Sequence, residues 1–333
     1  MLKMGLFGVG HLGKIHLKCI RLAKAHYDLI GFYDADQELA RRVEDEFHLK
    51  FYEKPEDLIA EADVIDVVTP TPTHYEVVKM ALLGGCHVFV EKPLTETLEE
   101  AKELIEISRK TNRIVQVGHV ERFNPALLAL GDLKVKPYFI EAHRLAMFNP
   151  RGVDVSVVLD LMIHDLDIIL KLADDEVVDV RASGVAVVSD QPDIVNARIE
   201  FKHGAVANLT ASRISLKNMR KVRLFQPDAY ISLDFLEKES QIVRLFDATD
   251  KLPQHGQQFP LETPKGPRII HVDQPDSGPI NAIQMELESL ADSINQGKPA
   301  AVSIEDGYRA LALAHRISAA VIASGQKIPE QRN

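Results

Sequence analysis

Lys92 follows an apolar run, and this position suits a lysine that acts on a substrate. The run His87-Val88-Phe89-Val90 leads into Glu91-Lys92-Pro93, and proline ends a strand because it has a fixed φ and no amide hydrogen. A second Glu-Lys-Pro triplet, at residues 53–55, lies among polar residues and predicts a loop and the start of a short helix. A lysine at a strand end can hydrogen-bond a reacting oxygen, or act as a base if burial and neighbouring charge depress its pKa.

Asp160 and His164 are the second candidate pair for chemistry, in the apolar segment 155–172, for which we predict one long helix. Side chains four residues apart on a helix lie one turn apart on the same face. An ionisable pair on an apolar face is costly unless it is paired or used. Asp160 therefore either bonds His164 and merely orients the helix, or supports His164 as a general base that titrates near neutrality.

The segment Gly8-Val9-Gly10-His11-Leu12-Gly13 matches G-x-G-x-x-G between a predicted strand, 3–8, and a predicted helix, 11–26. The first glycine allows a tight turn, the second lets backbone approach a pyrophosphate, and the third lets the helix pack on the strand. The helix N-terminus also favours phosphate charge. This context predicts dinucleotide binding.

Asp34 ends the second predicted strand, about 20 residues after the glycine motif. A carboxylate there can accept both ribose hydroxyls and repels a 2′-phosphate, which favours NAD over NADP. Arg41 and Arg42 lie nearby and can accommodate a 2′-phosphate, so NADP stays an alternative.

The segment Thr69-Pro70-Thr71-Pro72-Thr73-His74 follows the third predicted strand, 64–68. The threonine hydroxyls can contact the dinucleotide, or the segment can be a loop that caps the next helix. The two roles are compatible. The predicted cofactor-binding residues are Gly8, Gly10, His11, Leu12, Gly13, Asp34, Thr69, Thr71, His74, Glu91, Lys92 and Pro93.

The first 120 residues alternate continuous apolar strands with helices, which predicts a doubly wound parallel sheet of the Rossmann type. Beyond residue 120 we predict a short helix, 121–130, a strand, 138–145, the long helix, and then six β-type runs between 177 and 246. These runs predict a second α+β domain, 121–333, with a large, mostly antiparallel, open-faced sheet whose other face can pair subunits. Residues 251–279 predict a long loop. Helices are predicted at 280–295 and at 304–324, the latter with a capping-box-like start at Ser303, and we expect this C-terminal helix to pack back toward the first domain.

The length, charge and cysteine content of the chain argue against several classes of function. A chain of 333 residues fits two domains, and a net charge of −10 opposes a general nucleic-acid or acidic-membrane surface. No apolar run reaches the about 18 residues that a membrane span needs. The two cysteines form no disulfide framework, no metal site is evident, and the N-terminus shows no signal-peptide pattern. We expect a cytoplasmic protein.

Taken together, these motifs resemble the glucose–fructose oxidoreductase / inositol dehydrogenase / MocA (Gfo/Idh/MocA) family over nearly the whole chain. The resemblance depends on the glycine motif, on Glu91-Lys92-Pro93, on Asp160-x-x-x-His164, and on the large sheet that follows. It implies a Rossmann domain plus an open-faced α/β domain, with the active site between them. It also implies NAD(P)-linked oxidation or reduction of a sugar-type alcohol, with Lys92, Asp160 and His164 at the family's catalytic positions.

Two further segments, 118–125 and 209–213, resemble the branch that oxidises the sugar 3-hydroxyl of nucleotide-linked amino sugars. Arg122 and Arg213 would suit a diphosphate because a guanidinium offers planar bidentate donors, although either can instead make an internal or sheet-surface ion pair. The predicted substrate-binding residues are Lys92, His119, Arg122, Asn124, Asp160, His164 and Arg213.

The favoured function is thus a UDP-N-acetylhexosamine 3-dehydrogenase-like, NAD(P)-dependent oxidoreductase. The alternatives are a free-sugar or cyclitol (inositol-type) dehydrogenase and a non-catalytic NAD-binding sensor or scaffold, since a fold does not guarantee activity. We expect a homo-oligomer, a dimer or tetramer, that pairs through the C-terminal sheet. His164 is the favoured base, with Asp160 orienting it or contacting substrate, and Lys92 is the alternative base.

Overall fold

The computed structural model describes residues 1–149, 155–276 and 278–325, which divide into two compact units. The first unit comprises residues 1–123 and 281–312. The second comprises residues 124–280 and the described residues from 313 onwards. The first unit therefore includes residues 281–312, which the sequence-based division at residue 120 assigns to the second domain.

The first unit is built on a parallel sheet. Its strands are β1 (Leu2–Phe7), β2 (Tyr27–Tyr33), β3 (Val64–Val67), β4 (His87–Glu91) and β5 (Val115–Gly118). They lie in the order β2-β1-β3-β4-β5, and every neighbouring pair is parallel. This confirms the predicted doubly wound sheet. The order reverses direction between β1 and β3, and ligands of such sheets bind beyond the carboxyl ends of the strands at that point.

The helices cover the sheets and carry several of the candidate side chains. They are α1 (His11–Leu22), α2 (Gln37–Phe47), α3 (Pro55–Glu61), α4 (His74–Leu83), α5 (Leu98–Thr111), α6 (Pro125–Leu128), α7 (Ile163–Ala173), α8 (Ala282–Gln296) and α9 (Ile304–Ala323).

The core of the first unit joins α1 and α8 to the sheet. Leu17 and Ile20 of α1 share one buried cluster with Phe32 of β2 and with Leu287 and Leu290 of α8. Each side chain of this size stabilises the fold by about 1.5–3 kcal/mol when fully buried. The packing fixes α1, and with it the glycine turn that precedes it.

The second unit is built on one large sheet. Its strands are β6 (Phe139–Met147), β7 (Val177–Val185), β8 (Ile194–Phe201), β9 (Val206–Ser215), β10 (Met219–Gln226), β11 (Ala229–Asp234), β12 (Glu239–Asp247), β13 (Gln257–Thr263) and β14 (Gly266–Asp273). Their order is β13-β14-β12-β11-β10-β6-β9-β8-β7, and only the β6–β9 pair is parallel among these strands. The predicted large, mostly antiparallel, open sheet is confirmed.

Of three further sequence-based predictions in the second half, two were wrong and one was confirmed. The predicted loop 251–279 contains the hairpin β13–β14. The predicted helix 155–172 is confirmed as one continuous helical segment, 157–173, which begins with a π-type turn, Val158–Met162, and continues as α7. The predicted helix 121–130 is a 3₁₀ turn, Val120–Phe123, and the short α6, because Pro125 has no amide hydrogen to continue the turn.

The start of α9 was predicted correctly. The Ser303 hydroxyl accepts the N–H of Asp306 at 3.1 Å, and the Asp306 carboxylate accepts the N–H of Ser303 at 3.1 Å. This reciprocal pair satisfies two amides at the helix start.

Over the ranges that the structure describes, no helix combines the length and apolarity needed to cross a membrane.

Candidate active site

The glycine turn between β1 and α1 has the close approaches that the motif predicts. Gly8 has φ +91°, and a Cβ on it would lie 2.8 Å from the carbonyl oxygen of Val68. A Cβ on Gly13 would lie 1.9 Å from the carbonyl oxygen of Gly8, so only glycine fits there. Among the described residues other than Gly10 and its two chain neighbours, no atom lies within 4 Å of the position that a Cβ of Gly10 would occupy. Open backbone at Gly10, beside the amide end of α1, suits a pyrophosphate.

His11 and Leu12 form the exposed first turn of α1, which has no acidic residue to repel phosphate. The structure therefore places these two predicted cofactor residues at the amide end of the helix. Their contact with a dinucleotide stays a prediction.

Asp34 supports this turn directly. One carboxylate oxygen accepts the N–H of Val9 at 2.7 Å, and the other accepts the N–H of Asp36 at 2.8 Å. An ionised carboxylate has about four acceptor sites, so capacity for two ribose hydroxyls remains. Arg41 lies 3.6 Å from Glu53, and Arg42 lies 3.7 Å from Glu38, both as exposed ion pairs.

We expect Asp34→Ala to weaken NADH binding about tenfold to a hundredfold, since a hydrogen bond to a charged group contributes about 1.5–3 kcal/mol. The NADPH affinity should fall less, because the repulsion of a 2′-phosphate is also removed. Titration of nicotinamide fluorescence measures both. Asp45→Ala, an exposed aspartate of α2, is the matched control and should change neither affinity. Equal losses for both cofactors would contradict the role in selectivity.

Lys92 follows β4 at the carboxyl edge of the parallel sheet, as predicted. Its side chain is half-buried, and the peptide bond to Pro93 is cis. The N–H of Lys92 donates to the Glu91 carboxylate at 3.3 Å. Glu91 and Pro93 are buried, so they fix the backbone on both sides of the lysine.

His74 ties the loop after β3 to the loop after Lys92. Its Nδ1 lies 2.9 Å from the carbonyl oxygen of Pro93, and its Nε2 lies 2.8 Å from that of Thr69. Burial lowers the pKa of His74, although both carbonyls oppose that shift. The His74 ring therefore holds both predicted cofactor loops in place. Thr71 lies in the 3₁₀ turn that leads into α4. This placement fits the second interpretation of the segment, a loop at the start of the next helix.

Sequence reasoning missed a buried group of ionisable side chains behind Lys92. His16 of α1, Asp66 of β3, Glu91 of β4 and Glu286 of α8 form this cluster, and we call it the buried quartet. Burial alone would lower the pKa of His16, but Asp66 and Glu91 outweigh it and raise that pKa well above its usual value. The signal was present, because Asp66 interrupts an apolar strand and His16 lies on the buried face of α1.

Glu286 is fully buried, and its surroundings favour the protonated form of its carboxyl group. Burial raises its pKa well above the usual value, and the charge of Glu91 adds to the shift. Neither carboxyl oxygen has a hydrogen-bond partner among the described residues. Because the unfolded chain releases this proton near its ordinary pKa and the folded chain keeps it, stability falls as pH rises above about 4.5.

We therefore expect Glu286→Gln to gain about 1–3 kcal/mol of stability over the wild type between pH 5 and pH 8, at up to about 1.4 kcal/mol per pH unit. Thermal unfolding at both pH values measures the gain. Glu288→Gln, two residues further along α8 and half-buried, is the control. A difference between variant and wild type that does not change with pH would contradict the buried, protonated state.

In the second unit, Asp160 lies in the π-type turn and His164 lies in the first turn of α7. Both side chains are half-buried. Asp165 is buried, and its carboxylate forms a two-point ion pair with Arg144 of β6, at 2.8 and 3.1 Å. A bidentate pair of this kind fixes the helix on the sheet, and so fixes the start of α7 where His164 lies.

The other predicted substrate residues make internal contacts in their own units. Arg122 lies 3.7 Å from Asp306, and His119 is buried. The Asn124 side chain caps α6 and donates to the carbonyl of Phe235 at 3.0 Å. Their roles toward substrate stay predictions.

Arg213 of β9 is also largely buried. Its guanidinium lies 3.9 Å from the Asp193 carboxylate and donates to the carbonyl of Val155. The structure thus shows internal pairing for both predicted diphosphate ligands, and a role of Arg213 toward a diphosphate stays a prediction.

Comparison with known proteins gives the family. Residues 2–119 match the model of the oxidoreductase family with an NAD-binding Rossmann fold, and residues 140–227 match the GFO/IDH/MocA C-terminal domain. Over 327 residues the chain is 35% identical to UDP-N-acetylglucosamine 3-dehydrogenase of Acidithiobacillus ferrooxidans, and the match covers 98% of this chain and 99% of that enzyme. The chain belongs to the Gfo/Idh/MocA family of oxidoreductases.

Structural comparison agrees. A solved structure of the Acidithiobacillus ferrooxidans enzyme matches this Gfo/Idh/MocA chain with a TM-score of 0.86 and covers 97% of this chain and 98% of that one. A myo-inositol 2-dehydrogenase of Thermotoga maritima is 24% identical over 333 residues, which is 94% of each chain. This Gfo/Idh/MocA protein is therefore an NAD(P)-dependent dehydrogenase that acts on CH–OH groups.

Proposed function

We propose that the chain oxidises the 3-hydroxyl of UDP-N-acetylglucosamine and uses NAD. The observation that carries the proposal is 35% identity to UDP-N-acetylglucosamine 3-dehydrogenase over almost the full length of both chains. The choice of NAD is supported by Asp34, which lies at the end of β2 beside the glycine turn, and by Arg41 and Arg42, which are engaged with glutamates.

The glycine turn, the amide end of α1 and Asp34 would hold the dinucleotide. When bound, NAD supplies the acceptor for the hydride that leaves the carbinol carbon. The protein must orient that carbon and take the hydroxyl proton.

His164 is proposed as the base for this proton, since an unperturbed imidazole titrates near neutrality. Asp160 orients His164 or contacts the substrate. Lys92 donates an N–H to the reacting oxygen and, as a cation, stabilises the negative charge that develops there. In the alternative, Lys92 takes the proton. The pH profiles of a His164 variant and a Lys92 variant distinguish the two assignments.

The experiment is a substrate panel with purified protein. UDP-N-acetylglucosamine, its 4-epimer, other UDP-sugars, free N-acetylglucosamine and myo-inositol are each mixed with NAD or NADP, and the absorbance of reduced nicotinamide is followed. We expect the highest kcat/KM with UDP-N-acetylglucosamine and NAD. A higher value with free sugars would refute the proposed substrate.

A cyclitol or free-sugar dehydrogenase is the second candidate, and the match to myo-inositol 2-dehydrogenase favours it. It predicts turnover of myo-inositol without any requirement for the UDP group. The same panel separates the two candidates.

We also propose that residues 1–120 bind the dinucleotide, that residues 121–333 bind substrate and pair subunits, and that the protein acts in the cytoplasm as a dimer or tetramer. Phe139, Phe225 and Tyr230 support the pairing, because their rings cluster with centroids 5.1–5.6 Å apart on the less buried face of the large sheet. Light scattering after size exclusion tests it, and a monomer would refute it.

A further inference from the structure

The buried quartet brings four ionisable side chains together from four elements. His16 Nδ1 lies 2.9 Å from Asp66 Oδ2, with both side chains fully buried. His16 Nε2 lies 3.2 Å from Glu91 Oε1, an ion-pair distance, although the contact lacks the geometry of a hydrogen bond. Glu286 completes the group from α8. None of these side chains is assigned a part in the proposed transfer of the hydride or the proton.

The imidazole of His16 has a carboxylate on each side. A neutral imidazole has one N–H and can donate on only one side, whereas an imidazolium has an N–H for each carboxylate. A buried carboxylate without a counter-charge costs several kcal/mol, as a general estimate. The geometry therefore favours a charged ring between Asp66 and Glu91. Burial raises the pKa of Asp66, although His16 opposes that shift, and burial raises the pKa of Glu286 well above its usual value. Burial works to raise the pKa of Glu91, but His16 and Lys92 outweigh it and lower that pKa.

Glu91 connects this cluster to Lys92. Its other oxygen accepts the backbone N–H of Lys92 at 3.3 Å. Gly118, at the end of the neighbouring β5, lies against the same carboxylate, and a Cβ there would be 2.9 Å from Glu91 Oε1. The carboxylate is thus held between α1, the backbone of Lys92 and β5, and it has little room to move.

We propose that His16, held by Asp66, is a positioning residue that keeps the Glu91 carboxylate charged and seated at the base of Lys92. It fixes the direction and the electrostatic surroundings of that lysine without touching substrate. The inference depends on the proposed role of Lys92, and it adds His16 to the residues on which turnover depends.

The titratable groups that face His16 are Asp66 in β3, Glu91 in β4 and Glu286 in α8, and Cys19 lies one turn along α1. Without the imidazolium, Glu91 should take up a proton at a higher pH than in the wild type. Once protonated, it loses its charge beside Lys92. His16→Asn can keep a donor toward Asp66 but removes the positive charge.

We expect His16→Asn to lower kcat about tenfold at neutral pH and to move the acidic limb of the kcat profile upward by about one pH unit. The Kd for NADH should stay within about twofold. Adding Glu91→Gln should return the limb to its wild-type position, which His164 sets, because no Glu91 carboxyl remains to titrate, while kcat stays low. His87→Asn, at the other end of β4, is the matched control, since its ring accepts the N–H of Ile114 at 3.0 Å. It should keep the wild-type profile.

A loss of kcat in His16→Asn with an unchanged pH profile would show a merely structural role and overturn the inference, as would wild-type activity. Nitrogen-15 NMR of the histidine rings gives a readout that needs no turnover. We expect His16 in the wild type to keep both ring protons well above the pH at which a free imidazole loses one, and to lose one at lower pH in Glu91→Gln. If no sugar is oxidised but NMR shows this behaviour, the proposed function is refuted, while the charged state of His16 beside Glu91 is supported. If turnover occurs and the ring is singly protonated at pH 7, the inference fails alone.

Discussion

Replacing Lys92 by methionine is expected to lower kcat about a hundredfold to a thousandfold, which is the usual cost of removing one donor to a developing oxyanion. Methionine keeps much of the apolar stem and removes the ammonium. The Kd for NADH shows separately whether the ammonium also contacts the dinucleotide, since Lys92 is among the predicted cofactor-binding residues. Steady-state kinetics with UDP-N-acetylglucosamine, together with an NADH titration, separate the two quantities.

The chain supplies its own control for this substitution. Lys54 belongs to the other Glu-Lys-Pro triplet, is exposed, and precedes α3, which begins at Pro55. Lys54→Met should therefore keep wild-type turnover. If Lys92→Met retains more than about a tenth of the wild-type kcat, Lys92 does not act on the reacting oxygen.

His164→Asn is the second large effect, with an expected loss of kcat of about a hundredfold to ten-thousandfold, the contribution typical of a general base. Asparagine keeps a polar side chain of similar reach but cannot take a proton at neutral pH. The acidic limb of the kcat profile should disappear in this variant, because the group that titrates is gone.

His203 is the control for His164. It is exposed, in the turn between β8 and β9, and its ring bonds the Asp175 carboxylate at 2.8 Å. His203→Asn should leave the pH profile unchanged. If the acidic limb persists in His164→Asn and vanishes in Lys92→Met, the lysine takes the proton and our assignment of the base is wrong.

The first unit could be predicted from sequence because its signals are local. Strands buried on both faces appear as continuous apolar runs, and the glycine motif has a meaning only between a strand and a helix. The same local logic correctly separated Lys92 from Lys54, since only one triplet follows an apolar strand. Asp34 was singled out in the same way, from its position at a strand end, and its contact with a dinucleotide stays a prediction.

The hairpin β13–β14 was missed for a physical reason. Six of the seven residues of β13 are exposed and the seventh is half-buried, so the strand shows no alternation of buried and exposed positions. Its pairing with β14 comes from backbone hydrogen bonds, which leave little trace in side-chain pattern. Pro260 is tolerated because β13 is the edge strand.

The buried quartet was missed because its partners are far apart in sequence. His16 and Asp66 are separated by 50 residues, and Glu286 comes from a helix that the sequence assigned to the second domain. Rules based on residue spacing identify only side chains that are neighbours within one helix or strand. A charged residue inside an apolar strand, such as Asp66, is nevertheless a signal that a buried partner must exist.

The central claim is that this chain removes hydride from carbon 3 of UDP-N-acetylglucosamine. The most direct test is to supply the nucleotide sugar deuterated at that carbon, with NAD, and to analyse the reduced cofactor by mass spectrometry. Our account predicts that the deuterium is recovered in the reduced nicotinamide, together with a 3-keto sugar product. Reduced nicotinamide that forms without deuterium, which is the result if hydride leaves another ring carbon, would contradict it.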